Sequence, residues 1–361
     1  MMRATVAMLL TLVTTSGFGS DDNADPAKLL VRMSEAVRQT TYAGTVVYQT
    51  DTRMESLRVI HEYRDGSVRE RLVSLTGDAR EIYRNNEEVI CVLPQQRMVT
   101  IDQRAHQAAS LLPSLRRDNI ASLNERYDFE HLGDERIAGR LSVGVLVSPR
   151  DDMRYGYEYW LDRETHLPLR VVVLDAEQQR IEQMMFTDVA YAERFDDALF
   201  QRDADTEGYR VVRHADESPR LRVPARWSVA QVPPGFRKIS HSVRKGADDR
   251  VPVEHFLFTD GLATISVYGA NSADGNLQDV RAAHSRMGAL NVVSRVIDGH
   301  QVTVVGEVPA RTVEWVAERL QLASVEAHAG AALEPMLPAD NDAEGAGSPS
   351  EEQAMPETQD D

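Results

Sequence analysis

The chain has one cysteine in 361 residues, so no intrachain disulfide can staple it and no cysteine-based zinc cluster can form. That residue, Cys91, lies in the strand-like run Val89-Ile90-Cys91-Val92-Leu93, where a buried, inert thiol is the expectation rather than a nucleophile. Lysine is nearly missing too: Lys28, Lys238 and Lys245 stand alone among 40 basic residues. Guanidinium forks suit carboxylate and phosphate, although a GC-rich genome produces the same bias toward arginine. No H-E-x-x-H, G-x-S-x-G, P-loop or G-x-G-x-x-G is present. The histidines are scattered, with His61 and His255 inside strand patterns, and the carboxylate pairs Asp151-Asp152 and Glu87-Glu88 fall at turns. These absences predict no catalytic residue, no metal site, no cofactor and a protein that is not an enzyme; an unrecognised hydrolase has no positive support.

Long apolar runs are also lacking. Only Ala4 to Val13, after Arg3 and before a small-residue stretch, resembles one, and it is too short to span a bilayer comfortably. Residues 1–20 read as a secretory signal peptide cut near Gly19 or Ser20, which predicts an exported chain. The formal net charge of -17 is uneven. No Lys or Arg follows Arg319, while Glu334, Asp340, Asp342, Glu344, Glu351, Glu352, Glu357, Asp360 and Asp361 sit among Pro, Ala, Gly and Ser. Residues 323–361 are therefore expected to be a disordered acidic tail, and the mildly acidic remainder argues against nucleic-acid binding.

What the chain does have is strand signal. Tyr42 to Gln49, Leu57 to Tyr63, Val68 to Leu75, Arg80 to Tyr83, Val89 to Leu93 and Met98 to Ile101 alternate with period two, with turn residues at Asp65-Gly66, Thr76-Gly77 and Asn85-Asn86. An antiparallel meander is predicted. Asp25-Pro26 opens a helix as N-cap and first helical residue, with Leu30, Met33 and Val37 at helical spacing. Between Asp102 and Phe129 the pattern lapses into a segment with Leu111, Leu112, Pro113, Leu115, Ile120 and Leu123, read as a helical or irregular flap. Strands resume at Leu141 to Val147, Tyr155 to Leu161, Leu169 to Leu174 and Ile181 to Val189. About ten strands spaced roughly 4.8 Å apart make a sheet about 40 Å wide, against a helix only about 10 to 12 Å across. Such a sheet must curl, and its concave face must be closed by the flap, a second domain, a partner or an apolar ligand.

Polar residues 201–224 read as a linker. Beyond it, Phe256 to Val267 around Asp260-Gly261 and Val292 to Val305 around Asp298-Gly299 carry hairpin signals. Pro309 introduces a helix with Val313, Val316 and Leu320 on one face and Trp315 off it. The fold class is thus α+β: a large curved antiparallel sheet with a covering helix in residues 24–200, and a small α+β domain in 225–322. The strand carrying Tyr155, Tyr157 and Tyr159 puts Trp160 on its other face, so it presents aromatic surface on both sides.

Several segments together resemble one family. Arg71-Leu72-Val73-Ser74-Leu75 with Arg80-Glu81, Cys91-Val92-Leu93-Pro94, Arg136-Ile137-Ala138-Gly139-Arg140, Pro149-Arg150-Asp151 with Arg154-Tyr155-Gly156-Tyr157, and Trp160-Leu161-Asp162 are similar to the sigma-E regulatory proteins RseB/MucB. Pro234-Gly235-Phe236, His255 with Asp260-Gly261-Leu262-Ala263, and Val302 to Pro309 extend the likeness in order. The resemblance implies a half-barrel like that of the lipoprotein carriers LolA and LolB, a periplasmic location, and binding of the periplasmic region of a membrane-spanning anti-sigma factor, RseA/MucA. It also implies shielding of that partner from its site-1 protease, with release by lipid or lipopolysaccharide. The alternative is a periplasmic lipid or lipoprotein carrier, and a homo-oligomer stays open. The candidate lipid-binding set is Val46, Tyr48, Leu57, Val59 and Leu72 on the sheet, with Arg69, Arg71 and Arg80 for anionic groups; ordinary surface ion pairs explain those arginines equally well. Tyr155, Trp160 and Trp315 are the candidate partner contacts. Periodicity alone does not decide which sheet face is concave.

Overall fold

The structure, a computed structural model, describes residues 25–102, 112, 123–202, 205–214, 225–245, 252–270 and 283–322. The leader, the acidic tail and most of the segments read as flap and linker lie outside the described residues. Helix α1 (Pro26–Gln39) begins where its cap dictates, with the Asp25 carboxylate accepting the Ala27 N–H at 3.0 Å and Pro26 in the first turn. Its buried stripe is Leu29, Leu30, Met33 and Val37.

Strands β1 (Tyr42–Thr50), β2 (Met54–Arg64), β3 (Ser67–Ser74), β4 (Glu81–Asn85), β5 (Val89–Leu93) and β6 (Met98–Asp102) form the expected meander. A second meander runs through β7 (Tyr127–Ile137), β8 (Arg140–Pro149), β9 (Gly156–Asp162), β10 (Pro168–Leu174) and β11 (Arg180–Tyr191). Pairing of β11 with β1 fuses the two into one 12-stranded sheet of order β12-β6-β5-β4-β3-β2-β1-β11-β10-β9-β8-β7. Tight turns connect it: Asp65-Gly66 and Ala138-Gly139 both have positive φ at two successive residues, the backbone that matches strand twist.

Two strands of this sheet depart from the sequence expectation. Strand β7 occupies the end of the segment read as flap and precedes the point where strands were expected to resume. It is the sheet edge and mostly solvent-facing, with Asp128, Glu130, Asp134 and Glu135 and a bulge between His131 and Gly133, so no apolar alternation marks it. Strand β12 (Arg210–His214) lies inside the stretch read as linker and pairs parallel to β6, extending the first sheet. Every other pairing in the sheet is antiparallel.

Helix α1 touches both β2 and β7, which stand six places apart in the sheet. A flat sheet would separate them by about 29 Å, more than twice a helix diameter, so the sheet curls around α1. The helix side is the concave side.

The second module contains β13 (Trp227–Val229), β14 (Arg237–Lys245), β15 (Pro252–Thr259), β16 (Thr264–Ala270), β17 (Ala283–Met287), β18 (Leu290–Ile297), β19 (His300–Gly306), α2 (Ala310–Glu318) and β20 (Leu320–Leu322). Six strands make a sheet of order β14-β15-β16-β19-β18-β17, and β13 pairs with β20. Helix α2 packs on β18 and β19 through Val313 and Val316. Leu320 belongs to β20 rather than to the helix, because α2 ends at Glu318.

Candidate functional site

Strand register decides what lines the concave face. Val46 stands opposite Leu57 on one side and Phe186 on the other, Gly44 opposite Val59, and Val59 opposite Leu72. Val46 and Val59 are fully buried, Leu72 and Leu57 nearly so, and Val46, Val59 and Leu72 share one core with Leu29, Leu30 and Met33 of α1. Tyr48 is half-buried at the edge of that core. The predicted apolar set therefore lies on one face, and it is the concave one. Gly44 is required there: a Cβ would lie 2.3 Å from the Asp188 carbonyl and 3.0 Å from the Phe186 ring. The helix is not the whole cover. Leu112 and Leu123, from the segment read as flap, are buried in the same core, as is Ala289 of the second module, with Leu262 packed against it.

The three arginines do not gather. Arg69 pairs across strands with Glu62 on the opposite, convex face, donating to its carboxylate at 3.0 Å, reaching Asp197 at 2.7 Å and lying 3.9 Å over the Phe200 ring. Arg71 donates to the Leu199 carbonyl at 2.9 Å and meets Glu81 at 3.5 Å. Glu62 in turn accepts the Phe195 N–H at 3.0 Å. These groups clamp the chain after β11 onto the convex face. Only Arg80 approaches the concave rim, 3.9 Å from Glu55, which is the cross-strand partner of Tyr48.

The aromatic candidates also separate. Tyr155 is buried, and its hydroxyl accepts from Asn291 Nδ2 at 3.0 Å, across to the second module. Trp160 lies on the convex face under the Arg170 guanidinium, 4.5 Å away, and against Gly144. Trp315 sits at the edge of the second core beneath Arg319, 3.5 Å from its ring, with its buried indole N–H lacking a hydrogen-bond partner.

What sequence reasoning missed is the junction between modules. Arg154 and Asp260 both have fully buried side chains and meet at 2.6 Å. Arg154 also bonds Asp151 and the Pro234 carbonyl, and lies 5.1 Å over Phe236. The Asp260 carboxylate further accepts from Tyr127 Oη at 2.9 Å and from the Leu262 and Ala263 N–H groups at 2.9 and 2.8 Å. Burial works to lower the Arg154 pKa, but the hydrogen bonds and charges of Asp260 and Asp151 outweigh it and raise the value. Thr312 Oγ1 donates to the Met153 carbonyl at 2.9 Å. At the rim, the Ala289 N–H donates to Glu182 at 2.9 Å, and Gly288 stands against Thr50 and the Tyr48 hydroxyl. Burial, then Glu182, raises the Tyr48 pKa; burial, then the Glu182 charge, also raises that of Glu307. The Asp260-Gly261 turn was legible in sequence, but a turn aspartate that reaches another module has no local signature.

Among the described residues no group of His, Cys, Asp and Glu is arranged to hold a metal, and no helix is long and apolar enough to cross a membrane. Fold and site together define a two-module protein in which an apolar half-barrel is closed by an inner helix and a smaller α+β module. The MucB/RseB N-terminal domain family matches residues 25–204 and the MucB/RseB C-terminal domain family residues 222–321. The sigma factor AlgU regulatory protein MucB of Pseudomonas aeruginosa is 33% identical over 318 residues, 87% of this chain and 96% of that protein. The sigma-E factor regulatory protein RseB of Escherichia coli K12 is 30% identical over 328 residues, 88% of this chain and 98% of that protein. Among solved structures, MucB in complex with MucA(peri) superposes with a TM-score of 0.65 at 31% identity, covering 83% of this chain and all 100% of that one. A second MucA/MucB complex, from Pseudomonas aeruginosa, gives 0.65 at 32% identity over 84% of this chain and 100% of that one. The chain belongs to the MucB/RseB family.

Proposed function

We propose that the protein works in the periplasm as a non-catalytic regulator of a sigma-E-type envelope stress response. It binds the periplasmic region of a membrane-spanning anti-sigma factor of the RseA/MucA kind and shields that region from site-1 proteolysis. One observation carries this reading: two solved relatives that superpose across both modules are MucB held in complex with MucA. The leader-like residues 1–20 support export. Mixing the purified protein with the anti-sigma periplasmic segment and the site-1 protease tests it. Slower cleavage is expected, and cleavage at an unchanged rate under lipid-free conditions refutes it.

The concave apolar face supports a further element, response to lipid. Val46, Leu57, Val59 and Leu72, with Tyr48 and Arg80 at the rim, form the proposed acyl-chain surface, whereas Arg69 and Arg71 serve the convex face. For the anti-sigma segment, Trp160 and Trp315 are the proposed contacts, and Tyr155 acts through the module junction. A crosslinking map between the two proteins checks that assignment. A standing role as lipid or lipoprotein carrier predicts stoichiometric lipid in organic extracts of the protein.

A further inference from the structure

The open end of the concave sheet is filled by the second module. Strands β17 and β18 are joined by the two-residue turn Gly288-Ala289, flanked by the pair Met287 and Leu290. Gly288 has φ of +59° and Ala289 is not among the positive-φ residues, the II′ pattern that takes glycine first. Ala289 is only 1% exposed and is buried in the core of the first sheet, not of its own module.

Two hydrogen bonds tie the hairpin to the first module: the Ala289 N–H donates to Glu182 at 2.9 Å, and two residues on, Asn291 Nδ2 donates to the Tyr155 hydroxyl at 3.0 Å. All five residues of β17 are exposed, and Met287 is 59% exposed, so this hairpin arm is carried at the edge of its sheet by β18 alone. Behind it the concave residues Val46 and Val59 have no exposed surface. Tyr159, on that face beside the stacked Tyr157, is fully buried with a hydroxyl that has no hydrogen-bond partner. Among the described residues, α1, Leu112, Leu123 and Ala289 of the turn pack together over this surface.

We propose that the Gly288-Ala289 turn is a plug. Acyl chains reach the concave face only after the β17–β18 hairpin leaves Glu182, so lipid occupancy and the docked arrangement of the modules exclude each other. This rests on the lipid-responsive reading above and supplies its gate: a ligand inside the half-barrel changes the surface that both modules present together. The docked state carries an electrostatic cost at the same place, since burial and the Glu182 charge both oppose ionisation of Glu307.

A reversible lock tests the gate. A Cβ on Gly288 would lie 3.0 Å from Thr50 Cγ2, so Thr50→Cys with Gly288→Cys, in a Cys91→Ser background, places two thiols within bridging reach. Gly288 holds the glycine position of the II′ turn and an added Cβ would also lie 2.5 Å from the Glu182 carboxylate, so both redox forms carry the same local strain and the lock is read from the difference between them. The probe is dansyl-labelled undecanoic acid, read by fluorescence in the oxidised and reduced full-length protein. The oxidised form should bind at least about ten-fold more weakly, because apparent affinity scales with the fraction of open molecules, and reduction should restore binding. Ala289→Asp, which places a charge in the apolar core and so favours the undocked hairpin, should bind the probe about ten-fold more tightly than the unmodified chain. Equal binding by oxidised and reduced protein overturns the plug alone. No binding by the reduced protein or by Ala289→Asp overturns the lipid reading and the gate with it.

Discussion

The buried Arg154–Asp260 pair is the sharpest place to test how the modules are joined. Arg154→Met removes the cation and leaves the Asp260 carboxylate, fully buried, with only Tyr127 Oη and two backbone N–H groups. Breaking one side of a buried pair costs about 3 to 5 kcal/mol, because an uncompensated charge stays behind. Asp260→Asn keeps a carbonyl oxygen for the Leu262 and Ala263 N–H groups but leaves Arg154 with Asp151 and the Pro234 carbonyl. Combining the two removes both charges, so the double variant should lose less than the sum of the singles by about 2 kcal/mol or more. Urea denaturation followed by tryptophan fluorescence measures all three, with Trp160 reporting the first sheet and Trp227 and Trp315 the second module. The pair spans the junction, so the single variants should also separate a shared transition into two. Additivity within about 0.5 kcal/mol, or a cost below about 1 kcal/mol for Arg154→Met, would refute the argument.

Three further outcomes follow from the same structure. Gly44→Ala should destabilise the first module by about 1 to 3 kcal/mol in the same urea assay, since its Cβ would press on the Asp188 carbonyl and the Phe186 ring. Met33→Ala, at a fully buried position of α1, should cost about 2 to 5 kcal/mol through the cavity it leaves. The third is a pH dependence with opposite signs at two sites. His61 is held below its ordinary 6.5 chiefly by burial, so the folded state resists its protonation. Its contribution is intact above pH 6.5 and falls as pH drops through the lowered folded value. Glu307 is raised above its ordinary 4.5, chiefly by burial, so its penalty is full above the folded value and disappears as pH falls toward 4.5. His61→Gln should therefore flatten the loss of stability on acidification and Glu307→Gln should steepen it, read as urea midpoints from pH 7 to pH 5.

Legibility in the sequence tracked whether a residue's role was local. Strands β1 to β6 were readable because residue type alternates along them and turn residues separate them, although burial itself alternates cleanly only in β5 and β6, where Ile90, Val92, Val99 and Ile101 form a cluster of their own. Strand β7 was hidden because an edge strand with four carboxylates has little to alternate. Strand β12 was hidden because five residues flanked by polar chain give too short a run, and its partner β6 lies more than a hundred residues earlier. Arg69 and Arg71 looked like ligand-binding groups because nothing near them in sequence says that the chain around Asp197 to Gln201 returns to cover them.

By itself the sequence determined the curled antiparallel sheet, the helix that must fill it, the small second module and the family, because alternation, caps and turn pairs act over a few residues. The tertiary structure alone decided that the face of Val46, Val59 and Leu72 is concave, that Ala289 closes its open end, and that Arg154 finds its counter-charge at Asp260. Those outcomes depend on how two sheets meet, and a contact between residues 106 positions apart leaves no trace in the local pattern of either.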